Sequence, residues 1–186
     1  FYNWHRAKRF ERHREHVAVL ARLAAGKNAT PTAGIMDSQS VKTTEMGGPK
    51  GFDAGKLVKG RKRHILTDTL GIILAILITS ASVQDRDVGS TLIRIAHAKH
   101  PTISRIWADA AYKGRAIDAA SAETGIRVEN NRNMIEAKGF VPVRKRWAVE
   151  RTFGWLNRYR RLAKDFERTI ASSGAWCDVA MAKILT

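Results

Sequence analysis

The sequence has little cysteine, few acidic residues and no long apolar run, and each shortage excludes a class of protein. Cys177 is the only cysteine among 186 residues, so an intrachain disulfide and a cysteine-based zinc site are both excluded. The longest apolar run, residues 70–78, is much shorter than the roughly 20 residues that cross a bilayer. We therefore expect no membrane segment, and a protein that works in a reducing compartment such as the cytoplasm.

The shortage of acids makes the chain strongly basic. Its 33 Lys and Arg residues against 17 Asp and Glu residues give a formal net charge of +16 and a pI near 10.7. Such an excess favours a polyanionic partner, and without a membrane segment nucleic acid is a better candidate than an anionic membrane surface. The hydrophobic share of 44% is typical of a folded globule rather than a disordered chain.

Three of the few acids have unusual neighbours. Asp37 and Asp109 each follow apolar residues of a predicted strand, and Glu150 is the only acid between Arg144 and Lys164. Hard divalent cations such as Mg²⁺ let acids approach a phosphate, because they prefer oxygen ligands and bridge to phosphates. We interpret the three acids as a two-metal phosphoryl-transfer site in which Asp37 is the shared ligand. Taken singly, each Asp also fits a turn-capping role, and the Glu fits a solvated pair with a basic neighbour.

The hydrophobic periodicity predicts an α/β protein. The expected helices cover residues 1–26, 88–98, 115–124, 146–164 and 172–185, and the expected strands cover 34–43, 63–70, 72–78, 103–109 and 126–129. The Gly/Lys-rich residues 47–60 are typical of a mobile loop or hairpin, and residues 130–142 have no regular pattern. This order predicts a mixed sheet, an antiparallel three-strand meander plus parallel strands, flanked by helices. Asp37 and Asp109 meet at one edge of that sheet if their strands are neighbours.

The densest basic patch lies between residues 56 and 63. It contains Lys56, Lys59, Arg61, Lys62 and Arg63 among several glycines. Because glycine lets the backbone approach a phosphate closely, we expect these side chains to neutralise DNA phosphates. The alternative is a solvated charged loop or a localisation-type patch.

Several blocks of the sequence resemble, in the same order, the catalytic domain of bacterial DDE transposases of insertion-sequence family five. They are residues 37–43, 51–56, 58–64, 83–87, 108–112, 146–153 and 160–165. The similarity covers nearly the whole chain, with residues 1–30 as a helical N-terminal remnant or linker and 31–186 as an RNase H-like catalytic domain. Around the Glu, the family pattern is Tyr-x2-Arg-x3-Glu-x6-Lys; Arg146 and Glu150 match it, whereas Val143 and Asn157 replace the Tyr and the Lys.

The resemblance implies a DNA transposase that uses two Mg²⁺ or Mn²⁺ ions. Asp37, Asp109 and Glu150 would be its catalytic triad and its metal ligands. The enzyme would cleave transposon ends and transfer the freed strand into target DNA, so its partner would be double-stranded DNA. We expect it to be a homo-oligomer on DNA, in the bacterial cytoplasm at the nucleoid.

The resemblance also implies further DNA contacts. Arg146 and Arg151, on the same predicted helix as Glu150, would hold the DNA backbone. Arg158 or Arg161 would take the place of the missing family Lys.

Two other functions remain open at this point: an RNase H-like nuclease that hydrolyses without strand transfer, and an inactive DNA-binding remnant of an insertion element. The chain opens at Phe1 rather than at an initiator Met. We therefore expect a fragment, or the second half of a frameshifted reading frame.

Overall fold

The computed structural model describes residues 1–45, 47–130 and 146–186, which form one six-stranded sheet with helices on both faces. The strands are β1 (Ala33–Lys42), β2 (Gly51–Asp53), β3 (Val58–Thr67), β4 (Ile73–Ser80), β5 (Arg105–Ala108) and β6 (Arg127–Asn130). The helices are α1 (Tyr2–Arg6), α2 (Arg9–Ala24), α3 (Asp85–Lys99), α4 (Arg115–Thr124), α5 (Arg146–Asn157), α6 (Arg160–Ala163) and α7 (Ile170–Leu185).

The sheet is mixed, as predicted. β3 pairs antiparallel with β1 along one edge, and with β2 and then β4 along the other. β5 pairs in parallel with β1, and β6 pairs in parallel with β5. Parallel neighbours need a long crossover connection, which α4 supplies between β5 and β6. The sheet therefore has an antiparallel half built from hairpins and a parallel half built from helical crossovers.

Successive residues of the strands enter two separate cores because side chains alternate across a sheet. Ile35 of β1 and Ile65 of β3 pack against Val149 of α5. Their chain neighbours Met36 and Leu66 pack instead with residues of α3 and α4. A strand that is buried on both faces has a nearly continuous run of apolar residues. This explains the apolar sequence of β4.

The predicted N-terminal helix is divided into two. Lys8 has a left-handed backbone with φ of 51°, so the segment expected over residues 1–26 forms α1 and α2 with a break between them. Isolated left-handed residues interrupt a right-handed helix.

The predicted helix over residues 146–164 is also broken. It ends at Asn157, and an extended Tyr159 begins the short helix α6. The turn lets Leu162 enter the same core as Leu156, next to α7. Packing against α7 therefore overrides the helical periodicity.

The Gly/Lys-rich segment contains a hairpin, one of the two forms expected for it. Gly51 to Asp53 pair with Val58 to Gly60, so β3 begins five residues before the strand predicted from Arg63. The prediction of irregular structure over residues 130–142 lies outside the described residues except for Asn130, which ends β6. No helix within the described ranges is long and apolar enough to cross a membrane.

Most of the basic patch is a buried strand rather than an exposed arm. Arg61, Lys62 and Arg63 lie in β3 with 1%, 6% and 0% of their surfaces exposed. The prediction that these three side chains bind DNA phosphates is therefore wrong, because the folded chain encloses them. Lys56 and Lys59 are exposed.

Arg61 connects the hairpin to the C-terminal part of the chain. Its guanidinium lies 3.1 Å from the carboxylate of Asp165, and both side chains are 1% exposed. It also donates hydrogen bonds to the carbonyls of Pro49 and Arg168. The other Asp165 oxygen accepts a hydrogen bond from the Ser173 hydroxyl at 2.6 Å. These partners offset the cost of burying the Arg61 and Asp165 charges.

Lys62 and Arg63 leave β3 on opposite faces. The Lys62 ammonium lies 3.4 Å from a carboxylate oxygen of Asp53 and 3.3 Å from one of Asp85. Arg63 donates a hydrogen bond to the side-chain oxygen of Gln39 at 3.4 Å. Both side chains therefore bind polar partners inside the protein.

Residues 1–30 pack against the rest of the chain. Arg14 of α2 donates a hydrogen bond to Asp178 of α7 at 2.7 Å, and Arg22 forms an ion pair with Asp68. The division of the chain at residue 30 into a remnant and a catalytic domain stays a prediction.

Replacing Arg61 tests whether it is structural. Arg61→Ala leaves Asp165 buried without its cation, so we expect the free energy of unfolding to fall by about 3–5 kcal/mol. Urea denaturation followed by circular dichroism measures this. The matched control is Lys59→Ala, an exposed side chain of the same strand, which we expect to change stability by less than about 0.5 kcal/mol. Equal, small effects of both substitutions would contradict the structural role.

Candidate active site

Asp37 and Asp109 lie side by side because their strands pair in parallel. Met36 of β1 is opposite Ala108 of β5, so each acid directly follows one member of a paired position. The residues two positions earlier on each strand both pack beneath α5, and alternation therefore directs both acids to the α5 face. The condition on which the meeting of the two acids depended, that their strands are neighbours, is therefore met.

The N-terminal half of α5 brings Glu150 to the same face. Nη2 of Arg146 lies 3.3 Å from Oδ2 of Asp37 and 3.6 Å from Oε1 of Glu150. Arg146 and Glu150 are four residues apart, so both side chains leave the helix on one side. A single guanidinium therefore joins the acid of the strand to the acid of the helix.

The surroundings of Asp37 oppose its negative charge. Burial raises the pKa of the Asp37 carboxyl, and the charge of Asp109 acts in the same direction. The Ser38 amide, 2.7 Å from Oδ1, and the charges of Arg146 and Lys56 lower the pKa without cancelling the effect of burial. The ionised carboxylate therefore gains from any additional cation placed beside it.

The donor set of the site is the kind that a hard cation prefers. Asp37, Asp109 and Glu150 offer carboxylate oxygens, which suit Mg²⁺ or Mn²⁺ better than softer metals. Across the described residues, however, no three His, Cys, Asp or Glu side chains come close enough to hold a metal ion. The Arg146 guanidinium lies between Asp37 and Glu150 and supplies positive charge where a metal ion would.

The remaining basic residues predicted to bind DNA are at or near the surface. Lys56, Lys59 and Arg158 are exposed. Arg161 is also exposed, and its guanidinium pairs with Glu167 at 2.7 Å. These side chains remain candidates for phosphate contacts.

Arg151 is held by two aromatic rings. Its guanidinium lies 4.2 Å from the ring centre of Trp147 and 4.5 Å from that of Trp155, and it donates a hydrogen bond to the carbonyl of Leu70 at 2.8 Å. Such cation–π contacts stabilise a partly buried arginine. Arg151 therefore fixes α5 to the turn between β3 and β4, in addition to any contact that it makes with DNA.

Tyr112 is a residue of the site whose role the sequence did not reveal. It is fully buried, and burial, followed by the charges of Asp85, Asp37 and Asp109, raises its pKa far above that of an ordinary tyrosine. Its ring fits only because residue 89 is glycine: an added Cβ would lie 2.7 Å from the ring. Tyr112 thus places a neutral hydroxyl near Asp85, Asp37 and Asp109.

His64 and Asp85 lie on the same face of the sheet as Lys62. The His64 Nδ1 is 3.6 Å from Asp85, and its Nε2 is 2.9 Å from the Thr79 hydroxyl. Burial lowers the pKa of His64 to about 4 despite the nearby carboxylate, so the ring is neutral at pH 7 and Lys62 supplies the positive charge. Two-residue alternation does predict that Lys62 and His64 share a face, but the sequence does not identify their acidic partner.

The family of the chain follows from comparison with known proteins. Residues 28–185 match the model of the family described as Transposase DDE domain, and the chain belongs to this family. The predicted DDE transposase family is therefore confirmed, while its subdivision, insertion-sequence family five, stays a prediction.

One curated relative is a putative transposase for insertion sequence element IS402 of Burkholderia cepacia. It is 31% identical over 142 residues, which cover 69% of this chain and 63% of the relative. The chain thus matches less than two thirds of the length of that relative.

Two solved structures show the same fold. The catalytic domain of Mos1 mariner transposase superposes with a TM-score of 0.51 at 14% identity, covering 94% of this chain and 81% of that chain. A chain of the simian T-cell lymphotropic virus intasome, in complex with PP2A regulatory subunit B56 gamma, gives a TM-score of 0.53 at 17% identity, covering 82% and 48%. The fold is RNase H-like, as predicted.

The effect of the Asp37 charge on the free energy of unfolding can be tested by varying the pH. Because its folded-state pKa is raised, the contribution of Asp37 to stability is complete below its unfolded-state pKa, near 3.9, and is lost as the pH rises through the folded-state pKa. Asn cannot ionise, so we expect Asp37→Asn to be more stable than the wild type at pH 7 and to lose this advantage near pH 3. Urea denaturation at both pH values measures the difference.

The control for this experiment is Asp118→Asn, an exposed acid of α4. We expect it to leave the free energy of unfolding nearly unchanged at both pH values. If Asp37→Asn were less stable than the wild type at pH 7, the proposed balance of charges around Asp37 would be wrong.

Proposed function

We propose that this chain is the catalytic domain of a DNA transposase that cuts DNA at transposon ends and joins the freed 3′ ends to target DNA. The observation that carries the proposal is the meeting of Asp37 and Asp109 directly after the segment in which β1 and β5 pair in parallel, with Glu150 linked to Asp37 through Arg146. This arrangement occurs in a chain of the Transposase DDE domain family.

The three acids are proposed to hold two Mg²⁺ or Mn²⁺ ions, with Asp37 as the shared ligand. When bound, such ions lower the pKa of an attacking hydroxyl and stabilise the departing oxygen. The raised pKa of Asp37 supports the assignment, because a carboxylate that burial destabilises benefits most from added positive charge.

Other residues of the chain are proposed to orient the DNA. If cations neutralised the acids, the Arg146 guanidinium would be free to leave Asp37 and Glu150 and to bind a phosphate. The buried Tyr112 keeps its proton and fills the interior side of the site. Water would attack the phosphodiester first, and the freed 3′-OH would attack target DNA next, with no covalent protein intermediate.

The partner is proposed to be double-stranded DNA, both transposon ends and target. The net charge of +16 supports this, because lysine and arginine replace the cations condensed on phosphates. We further propose that the protein acts as a homo-oligomer on DNA in the bacterial cytoplasm, at the nucleoid.

Asp109→Asn tests the catalytic assignment. Loss of one metal ligand removes several kcal/mol of transition-state stabilisation, so we expect cleavage and joining to slow by on the order of a thousandfold. The assay incubates the protein with Mg²⁺ and a labelled duplex that carries an end of the element, together with unlabelled target DNA. Asp118→Asn is the charge-matched control and should keep wild-type rates.

Each outcome of this assay separates one function from another. Equal product from Asp109→Asn and the wild type would contradict the site assignment. Cleavage without joined product would indicate a nuclease, and steep salt-dependent binding without cleavage would indicate a DNA-binding remnant.

Arg146→Gln tests whether this arginine occupies the place of the cations. Removing its positive charge from between Asp37 and Glu150 relieves repulsion of an incoming divalent ion, so we expect Mg²⁺ to bind several-fold more tightly. Isothermal titration calorimetry on the protein without DNA measures the affinity. Arg158→Gln, an exposed arginine just after α5, should leave the affinity unchanged. Unchanged or weaker Mg²⁺ binding by Arg146→Gln would show that Arg146 does not compete with the metal.

A further inference from the structure

The turn between β2 and β3 is fixed by one carboxylate. Oδ1 of Asp53 accepts hydrogen bonds from the amides of Gly55 and Lys56, each at 3.1 Å. Leu57, the next residue, has a left-handed backbone with φ of 53°, which few non-glycine residues adopt. The turn therefore has a defined path, and the direction in which the Lys56 side chain leaves it is set.

The second oxygen of Asp53 fastens this turn to the sheet. Oδ2 accepts a hydrogen bond from the Ser40 hydroxyl of β1 at 2.6 Å and lies 3.4 Å from the Lys62 ammonium of β3. Lys62 is itself held by Asp85 at 3.3 Å. Burial opposes the ionisation of Asp53, but these hydrogen bonds and the charge of Lys62 outweigh it and lower the pKa. Asp53 is therefore a charged anchor at pH 7.

The Lys56 side chain reaches the candidate active site. Its Nζ donates a hydrogen bond to the carbonyl of Ser38 at 3.1 Å, and Ser38 directly follows Asp37. Its charge acts on the Asp37 carboxylate. Because Lys56 is exposed, a phosphate can approach the ammonium from solvent. A phosphate oxygen is a stronger partner for an ammonium than the neutral carbonyl that it now contacts.

We propose that Asp53 is a positioning residue, which holds Lys56 so that its ammonium binds a DNA phosphate beside Asp37. The inference rests on the proposed function, because that function identifies the ligand as DNA. It adds a role for Asp53, which contacts no DNA itself and acts through Lys56. Lys62 and Asp85 then serve as the buried support of this arrangement rather than as DNA contacts.

A double-mutant cycle on DNA binding tests this inference. The probe is a fluorescein-labelled 30-bp duplex of arbitrary sequence without divalent ions, and the readout is the slope of log K against log salt. One lost phosphate contact reduces that slope by about 0.9. We expect Lys56→Met and Asp53→Ala each to produce this reduction, and the double variant to show no further reduction.

Controls separate positioning from folding. Lys183→Met, an exposed lysine at the end of α7, and Asp118→Ala, an exposed acid of α4, should keep the wild-type slope. Asp53→Asn keeps an acceptor for the two turn amides, so we expect it to restore most of the slope. If Asp53→Ala does not fold, Asp53→Glu replaces it, because the longer side chain keeps the charge near Lys62 but displaces the acceptor from the turn. Asp53→Glu should then show the reduced slope.

The result that overturns the inference is a wild-type slope for Asp53→Ala or Asp53→Glu, or reductions that add in the double variant. Failure of the proposed function is distinguishable. In that case the slopes would follow the expected pattern while the wild-type protein, given Mg²⁺ and element-end DNA, produced no cleavage. Cleavage by the wild type together with an unchanged slope for the Asp53 variants would refute the role of Asp53 and leave the proposed function standing.

Discussion

The parallel pairing of β1 with β5 is the constraint on which the candidate active site depends. It places Asp37 beside Asp109 at the ends of the paired segments, on the face of the sheet that α5 covers. Two carboxylates brought together in a partly buried position repel each other and resist ionisation. The structure offsets this with Arg146 from α5, and the same contact brings Glu150 into the site. The geometry that unites the acids thus also creates the need for a cation between them.

A second consequence of the same sheet is the burial of the charges of β3. A central strand that is covered on both faces cannot leave Arg61 or Lys62 in solvent, so each must find an acid within the protein. Arg61 forms an ion pair with Asp165, 104 residues away along the chain, and Lys62 forms ion pairs with Asp53 and Asp85. The first pair joins the sheet to the C-terminal segment. The second supports the hairpin that directs Lys56 toward the site.

Much of the fold was predictable because it depends on local periodicity. The apolar run that forms β4, the alternation in β1 and the helical spacing in α3 and α4 all gave elements of the right type. The errors include the left-handed Lys8, which interrupts the predicted first helix, and the break before α6, where packing against α7 overrides local preference. The prediction that Arg61, Lys62 and Arg63 bind DNA phosphates fails for a related reason. A row of lysines and arginines has the same local pattern in a solvated arm and in a strand whose partners lie far along the chain.

The sequence by itself determined the family of the chain and the mixed sheet, and it singled out three candidate acids. These follow from residue type and spacing, which are properties of short segments. Only the tertiary structure decided that Arg61 and Arg63 are internal, that Arg146 lies between Asp37 and Glu150, and that Asp53 controls the direction of Lys56. Each of these depends on which distant polar group meets which cation, and that pairing is fixed by strand register and helix packing rather than by any local pattern.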